Sequence, residues 1–190
     1  MTDLTFISDL KDGKPFAYNQ LLNEYQQKVF HTCLSFVASR EDAEDIAQEV
    51  FLEVFKSIKK FKGDSKLSTW IYRIATNKSL EFLRKKNAKK RFAFFSAILA
   101  GEIPLDKTSH FSDFNHPGFL IENKEKGAIL FSAIQQLPDQ QRIVFTLHKV
   151  DGKTYQEITE IVNKSLSSVE SLMHRAKKNL QEKLKNYYKK

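Results

Sequence analysis

Residues 61–91, FKGDSKLSTWIYRIATNKSLEFLRKKNAKKR, combine a turn, an amphipathic period and a basic run in one uninterrupted stretch. Gly63, Asp64 and Ser65 are clustered turn formers, and Ser68 stands where a helix N-cap would accept a backbone N–H. From Leu67 onward, Ile71, Ile74, Ala75 and Phe82 recur at helical spacing and mark a core-facing stripe. Trp70, Arg73, Asn77 and Arg84 recur at the same spacing on another face, so an aromatic ring, two guanidinium groups and an amide are expected to point outward together. Such a face suits nucleic acid. The ring offers a π-surface to an unstacked base, and the cations neutralise phosphates and release counterions. The helix then runs into Arg84, Lys85, Lys86, Lys89, Lys90 and Arg91, six cations within eight residues. A basic run is commonly a solvated helix end, and a lone Trp near a helix start is commonly a core residue. Their combination on one helix is what points to a polyanion.

The whole chain agrees in sign. Its 190 residues carry 31 Lys and Arg against 23 Asp and Glu, a net charge of +8, and its isoelectric point is near 9.4. An excess of this size favours a polyanionic partner without distinguishing DNA, RNA and an acidic membrane surface. Cys33 is the single cysteine, so no intramolecular disulfide can form. No charged-then-apolar leader follows Met1, so a cytoplasmic location is expected. The longest apolar run, Phe92 to Ala100, is interrupted by Ser96 and falls short of the roughly 20 residues a bilayer span requires, so no direct membrane insertion is expected. Few Gly and Pro, many Leu, Ile, Lys, Glu and Gln, and no alternating run bounded by hairpin turns predict an all-α protein.

Residues 1–14, with turn formers at Asp12 and Gly13, are expected to be loosely ordered. From Pro15 a helical stripe of Tyr18, Leu22, Tyr25, Val29, Cys33 and Val37 makes Cys33 a buried small apolar residue. Ser39 and Asp42 have capping-box spacing and precede the most regular amphipathic pattern in the chain, whose apolar face runs from Ala43 to Ile58. The opposite face carries Asp45, Gln48, Glu49 and Glu53, a local reversal of sign that suits a basic protein partner. The plainer reading is a solvated face with carboxylates placed well for the helix N-terminus. A di-metal or acid–base role is disfavoured because no His lies near this helix. Residues 92–122 hold one basic residue, Lys107, with scattered Gly, Pro, Ser, His and Phe and no sustained period, and read as a linker. His110 and His116 within it lack a Cys or carboxylate at ligand spacing, so no metal is assigned, and no cofactor.

Helical signals restart at Asn123 and pass Leu137 and Pro138 to an Asp151–Gly152 turn, with Pro138 expected at a first helical position. Thr154 and Glu157 have capping-box spacing for a short helix that Asn163 can end in the left-handed conformation. Ser165 then caps a longer helix with Leu166, Val169, Leu172, Met173, Ala176, Leu180 and Leu184 facing inward. Short helix, tight turn and longer helix form the helix-turn-helix pattern. Ser167, Ser168, Ser171, Arg175 and Lys178 lie off the apolar stripe of the longer helix, small and polar first, basic later. That order matches entry into the major groove, where early residues reach base edges and later cations meet the backbone.

Read together, these pieces resemble the extracytoplasmic-function (ECF) subgroup of bacterial RNA polymerase sigma factors. The stretches that carry the resemblance are Asp42 to Phe51 (DAEDIAQEVF), Phe61-Lys62-Gly63, Leu67 to Ala75 (LSTWIYRIA), Leu137-Pro138 and Thr154 to Ile158 (TYQEI). The resemblance implies two small helical domains, sigma region 2 over residues 15–91 and sigma region 4 over 123–188, joined by the linker. It implies that Asp45, Gln48, Glu49 and Glu53 dock on the β′ clamp coiled coil of core RNA polymerase, with the β subunit a further contact. The −10 promoter element would meet Trp70, Arg73, Asn77, Arg84 and the loop of Lys62, Gly63, Asp64, Ser65 and Lys66, which would capture a flipped base at the cost of its unstacking. The −35 element would meet Ser167, Ser168, Ser171, Arg175 and Lys178. Other implied properties are the absence of catalytic activity and an anti-sigma partner, often membrane-anchored. Lys78, Thr159, Lys164 and Leu172 depart from the common residue types of the family. Two rival readings remain: a free-standing helix-turn-helix regulator, which leaves the acidic face unexplained, and a deaminase or nuclease acting on a flipped base, which lacks any assignable ligand or carboxylate set.

Overall fold

The structure is a computed structural model and describes residues 3–37, 39–99, 124–185 and 187. The described residues form α-helices and one short 3-10 turn, with no strand among them. In chain order the helices are α1 (Asp3–Lys11), α2 (Pro15–Val37), α3 (Arg40–Ser57), α4 (Leu67–Leu99), α5 (Lys124–Gln135), α6 (Asp139–Lys149), α7 (Tyr155–Val162) and α8 (Leu166–Leu184).

Residues 3–11, expected to be loosely ordered, are helical, because Leu10 is fully buried and Phe6 nearly so. Two well-placed apolar side chains outweigh the local turn signal at Gly13, which sits at φ +77° and reverses the chain into α2. Pro15 opens α2, where its missing N–H costs nothing. The buried side of α2 follows a four-residue step through Ala17, Leu21, Tyr25, Val29, Cys33 and Val37; Tyr18 and Leu22 lie at the edge, half-buried. Tyr18 meets Phe55 of α3 edge-on, ring centroids 4.7 Å apart. Ser39 caps α3, its hydroxyl accepting the Asp42 N–H at 3.3 Å.

The start of α4 differs from the expectation by two residues. Lys66 C=O accepts the Trp70 N–H at 3.1 Å, so the helix begins at Leu67 and Ser68 lies in its first turn rather than at the cap. The far end differs by more. The helix continues to Leu99, into the stretch read as linker, since nothing between Phe92 and Leu99 breaks a helix and the first Gly comes at 101. Residues 100–123, including His110, His116 and most of the expected linker, lie outside the described residues, as does 188.

In the C-terminal part the capping signals hold residue by residue. Thr154 and Glu157 form a complete capping box, and Asn163 ends α7 at φ 52°. Ser165 caps α8 by accepting the Ser168 N–H at 3.3 Å. Pro138 is the residue before α6, one position earlier than expected. Leu166 is 45% exposed, so the apolar side of α8 begins at Val169, not at Leu166.

Two apolar clusters result. One joins α2, α3 and α4 to Leu147, Ile158, Val169 and Met173 of α6, α7 and α8; a smaller one holds Ile134, Leu137, Ala176 and Leu180. Arg142 of α6 is buried as well. Its guanidinium donates to Gln135 C=O at 3.0 Å, Gln135 Oε1 at 3.1 Å and Asp139 Oδ1 at 2.7 Å, which ties the end of α5 to the start of α6.

Two predictions follow from this packing. Cys33 is fully enclosed, and burial pushes its thiol up to about 12, so a thiol reagent at pH 8 should label it only as the chain unfolds; rapid stoichiometric labelling of the folded protein would refute the burial. Arg142→Ala leaves the Gln135 carbonyl and the Asp139 carboxylate without their donor, and should cost about 2 kcal/mol of stability in urea titration, with little change in the folded helix content.

Candidate nucleic-acid interface

The candidate residues fall on three surfaces. The first is the solvent side of α3. Asp45, Gln48 and Glu49 are exposed and Glu53 is half-buried, all on the side away from the core. Lys78 of α4 reaches between two of them, its Nζ 3.8 Å from Glu49 and 3.9 Å from Glu53. Only 26% of this side chain is exposed, so its stem packs while its ammonium spans the carboxylates. Asp45 is the acidic group of this set with no ion pair among the described residues. Beside the acidic residues lies a half-open groove of about 540 Å³ between α2 and α3, lined by Phe30, Phe51, Leu52 and Phe55. Leu52 is 54% exposed at its edge. This apolar component of the surface was missed from sequence, where Leu52 interrupts neither stripe.

The second surface is the loop before α4 and the outward side of that helix. Lys62, Gly63, Asp64 and Lys66 are exposed and Ser65 is half-buried. Gly63 sits at φ +83° with open space around it, so a side chain there would be strained by backbone conformation alone. Trp70 does not project freely. It is half-buried, its ring 5.2 Å from that of Phe61, and it packs against the main core. Asn77 and Arg84 are exposed as expected. Arg73 points the same way but is occupied, because its Nη2 donates to the Glu160 carbonyl in the last turn of α7.

The third surface is the first half of α8. Ser167, Ser171, Arg175 and Lys178 are exposed and Ser168 is half-buried. Ser167 Oγ lies 3.2 Å from Ser165 Oγ, and Arg175 Nε donates to Ser171 C=O at 3.3 Å. Leu172 is buried, so it fills the core of this unit instead of facing outward. Lys164 is exposed in the turn, and Thr159 donates its hydroxyl to the Gln156 carbonyl at 2.7 Å. Among the described residues no three His, Cys, Asp or Glu side chains are grouped to hold a metal ion, and no described helix is long and apolar enough to cross a membrane.

A fourth set went unseen in the sequence. Asp151, in the turn after α6, reaches α2, where its Oδ1 lies 3.2 Å from Thr32 Oγ1. Lys153 places its ammonium 4.0 Å from the centroid of the Tyr72 ring on α4. Gln135 Nε2 donates to Ser35 C=O at 2.7 Å. These contacts join residues 81 to 119 positions apart, and no local pattern announces them.

The sigma-70 region 2 family matches residues 21–89 and the sigma-70 region 4 family matches residues 128–180. The ECF RNA polymerase sigma-E factor of Haemophilus influenzae is 31% identical over 185 residues, covering 97% of this chain and 96% of that protein. Its namesake in Escherichia coli K12 is 29% identical over 184 residues, covering 97% and 95%. Among solved structures, CnrH in complex with the cytosolic domain of CnrY superposes with a TM-score of 0.68 at 19% identity, covering 97% of each chain. The sigma factor RpoE of Bartonella quintana, in complex with the anti-sigma factor NepR, gives 0.64 at 20% identity over 88% of this chain and 96% of that one. With two sigma regions in order along the chain, helical throughout its described elements, and a sigma-E relative matched nearly end to end, this protein belongs to the ECF group of RNA polymerase sigma factors, the alternative sigma factors of transcription initiation.

Proposed function

We propose how the three surfaces divide the work of a sigma factor. Residues 15–91 act as the unit that docks on core polymerase and opens the −10 element, residues 123–188 as the unit that reads the −35 element, and residues 92–122 as the connection. The observation that carries this reading is the separation of charge on one chain: a solvent-facing acidic side of α3, with basic and hydroxyl-bearing surfaces on α4 and α8.

Asp45, Gln48, Glu49 and Glu53 would receive the β′ clamp coiled coil. The groove beside them adds an apolar contact through Leu52, so the docking site is a mixed surface, with charge steering the approach and burial of the leucine adding affinity. The Lys62-to-Lys66 loop would hold a flipped base. Trp70, braced by Phe61, would cover the newly exposed edge of the duplex where strands part, a task for which a half-buried ring is better fixed than a free one. Arg73, Asn77 and Arg84 would follow the backbone. On α8, Ser167, Ser168 and Ser171 would enter the major groove, with Arg175 and Lys178 on phosphates. No step requires a catalytic group, so the protein acts by binding alone and works in the cytoplasm beside the polymerase. The solved relatives bound to NepR and to the cytosolic domain of CnrY support an anti-sigma partner here as well. A free-standing regulator is not favoured, since it has no use for the acidic side of α3.

Run-off transcription with purified core polymerase tests the assignment. Asp45→Lys with Glu49→Lys should lower specific transcripts at least ten-fold, equivalent to about 1.4 kcal/mol of lost docking, while helix content is unchanged. Trp70→Ala should leave holoenzyme formation intact and slow strand opening. Specific transcripts at wild-type level in the charge-reversed protein would remove α3 from the docking site. Arg175→Ala should weaken promoter binding across all sequences and reduce the salt slope by about 1, as expected for one lost phosphate contact.

A further inference from the structure

The arrangement of α7 on α4 hides part of the surface that the proposed function uses. Glu160 C=O belongs to the last turn of α7, where carbonyls have no partner within the helix, and the Arg73 guanidinium supplies the missing donor. At the other end of α7, the Thr154 amide hydrogen bond holds the Glu157 carboxylate below its usual range, with Lys153 and Lys66 adding positive charge. Two cations assigned to promoter DNA, Lys66 and Arg73, thus face the helix-turn-helix unit of their own chain. In this arrangement the Arg73 N–H group spent on α7 is withdrawn from a promoter phosphate.

Among the polar contacts between the units, Asp151 reaches from the turn after α6 to Thr32 of α2. Thr32 Oγ1 lies 2.9 Å from the Lys28 carbonyl and 3.2 Å from Asp151 Oδ1. Its hydroxyl has one proton for two acceptors, so an ionised Asp151 competes with the Lys28 carbonyl. A protonated carboxyl reverses the direction: Asp151 donates to Thr32 Oγ1, and Thr32 donates to Lys28. Asp151 Oδ2 is buried and has no partner among the described residues, an arrangement that burdens a carboxylate far more than a neutral carboxyl.

We propose that Asp151 is a proton-operated latch: with its carboxyl protonated, the helix-turn-helix unit rests on α4 and covers Arg73, and with the carboxyl ionised the two units part and expose the −10 surface. This rests on the reading of Arg73 as a promoter contact, but the latch itself is defined by the distance between the units and needs neither DNA nor polymerase to be seen.

The surrounding charges favour a transition near neutrality. Burial raises the Asp151 carboxyl to about 7, against the opposing pull of the Thr32 hydroxyl and the Lys153 ammonium. From α2, Lys28, His31 and Glu24 line the same cleft, and from α4 Tyr72 does. His31 is held below its ordinary value by burial, and burial raises Tyr72, so its phenol stays neutral across the window. Glu157 of α7 is held low and stays ionised. The sign follows. In the open chain Asp151 titrates near the ordinary 3.8 and in the closed chain near 7, so closure strengthens as pH falls through about 7 and gains nothing more below about 4.

Energy transfer between dyes on Glu41→Cys and Gln181→Cys, both exposed positions on opposite units, reads the latch in the full chain; Cys33 is enclosed and stays unlabelled. Lowering the pH from 8 to 6 should raise the closed-to-open ratio about ten-fold. Asp151→Asn, which donates to Thr32 without titrating, should stay closed at both values. Asp151→Lys should be open at both, with helix content by circular dichroism unchanged. Should the lysine variant lose helix content, the wild type and the asparagine variant decide. A pH response that persists in Asp151→Asn, or transfer that is the same in wild type at both pH values, overturns the latch and leaves the run-off assay untouched as an independent test of the promoter surfaces.

Discussion

One guanidinium stands between two surfaces that compete for its N–H groups. Arg73 lies on the face of α4 suited to nucleic acid, and the structure gives it to the end of α7. A helix C-terminus carries partial negative charge and unpaired carbonyls, so it attracts the same cation that a phosphate would. The architecture around this point follows from keeping both options open. The core under α4 fixes where Arg73 stands, and the capping box at Thr154 fixes where α7 ends.

Two helical units that meet through a mixed polar and apolar junction make this possible. Within each unit the helices are held by continuous apolar packing and by caps that satisfy their ends: Ser39, Thr154, Asn163 and Ser165. Between the units, the contacts include a fair share of polar groups: Asp151 with Thr32, Lys153 over Tyr72, Gln135 on Ser35 and Arg73 on Glu160. Polar contacts can be replaced by water on opening at small net cost, whereas apolar ones cannot. Leu147, Ile158 and Met173 nonetheless share the main apolar cluster with α2, α3 and α4. Opening therefore exposes some apolar surface, which polymerase and DNA must cover in the working complex.

Much of this was legible from local chemistry. A cap hydroxyl, a left-handed Asn or a stripe of apolar residues acts over a few positions, and each such signal in α3, α7 and α8 was placed to within a residue, with Leu166 the exception at a helix end that solvent reaches. The acidic side of α3 was equally readable because it is defined by what it avoids. What escaped was decided at long range. The ordering of residues 3–11 depends on the core that receives Leu10, the half-burial of Trp70 depends on Phe61 across a turn, and the role of Asp151 depends on a helix more than a hundred positions away. A sequence pattern marks a turn at Asp151 and Gly152; it carries no sign that the turn's carboxylate will be buried.

The claim at the centre of this account is that two faces of one chain, on α4 and on α8, engage the two promoter elements at once while α3 holds the polymerase. A tethered DNA-cleaving chelate reports this directly when attached at Asn77→Cys or at Ser171→Cys in the reconstituted holoenzyme on a promoter found by run-off transcription. Cleavage near the −10 element from position 77 and near the −35 element from position 171, each requiring core polymerase, is the predicted result. Cleavage from both positions at one site, or cutting that proceeds equally well without polymerase, would contradict the account.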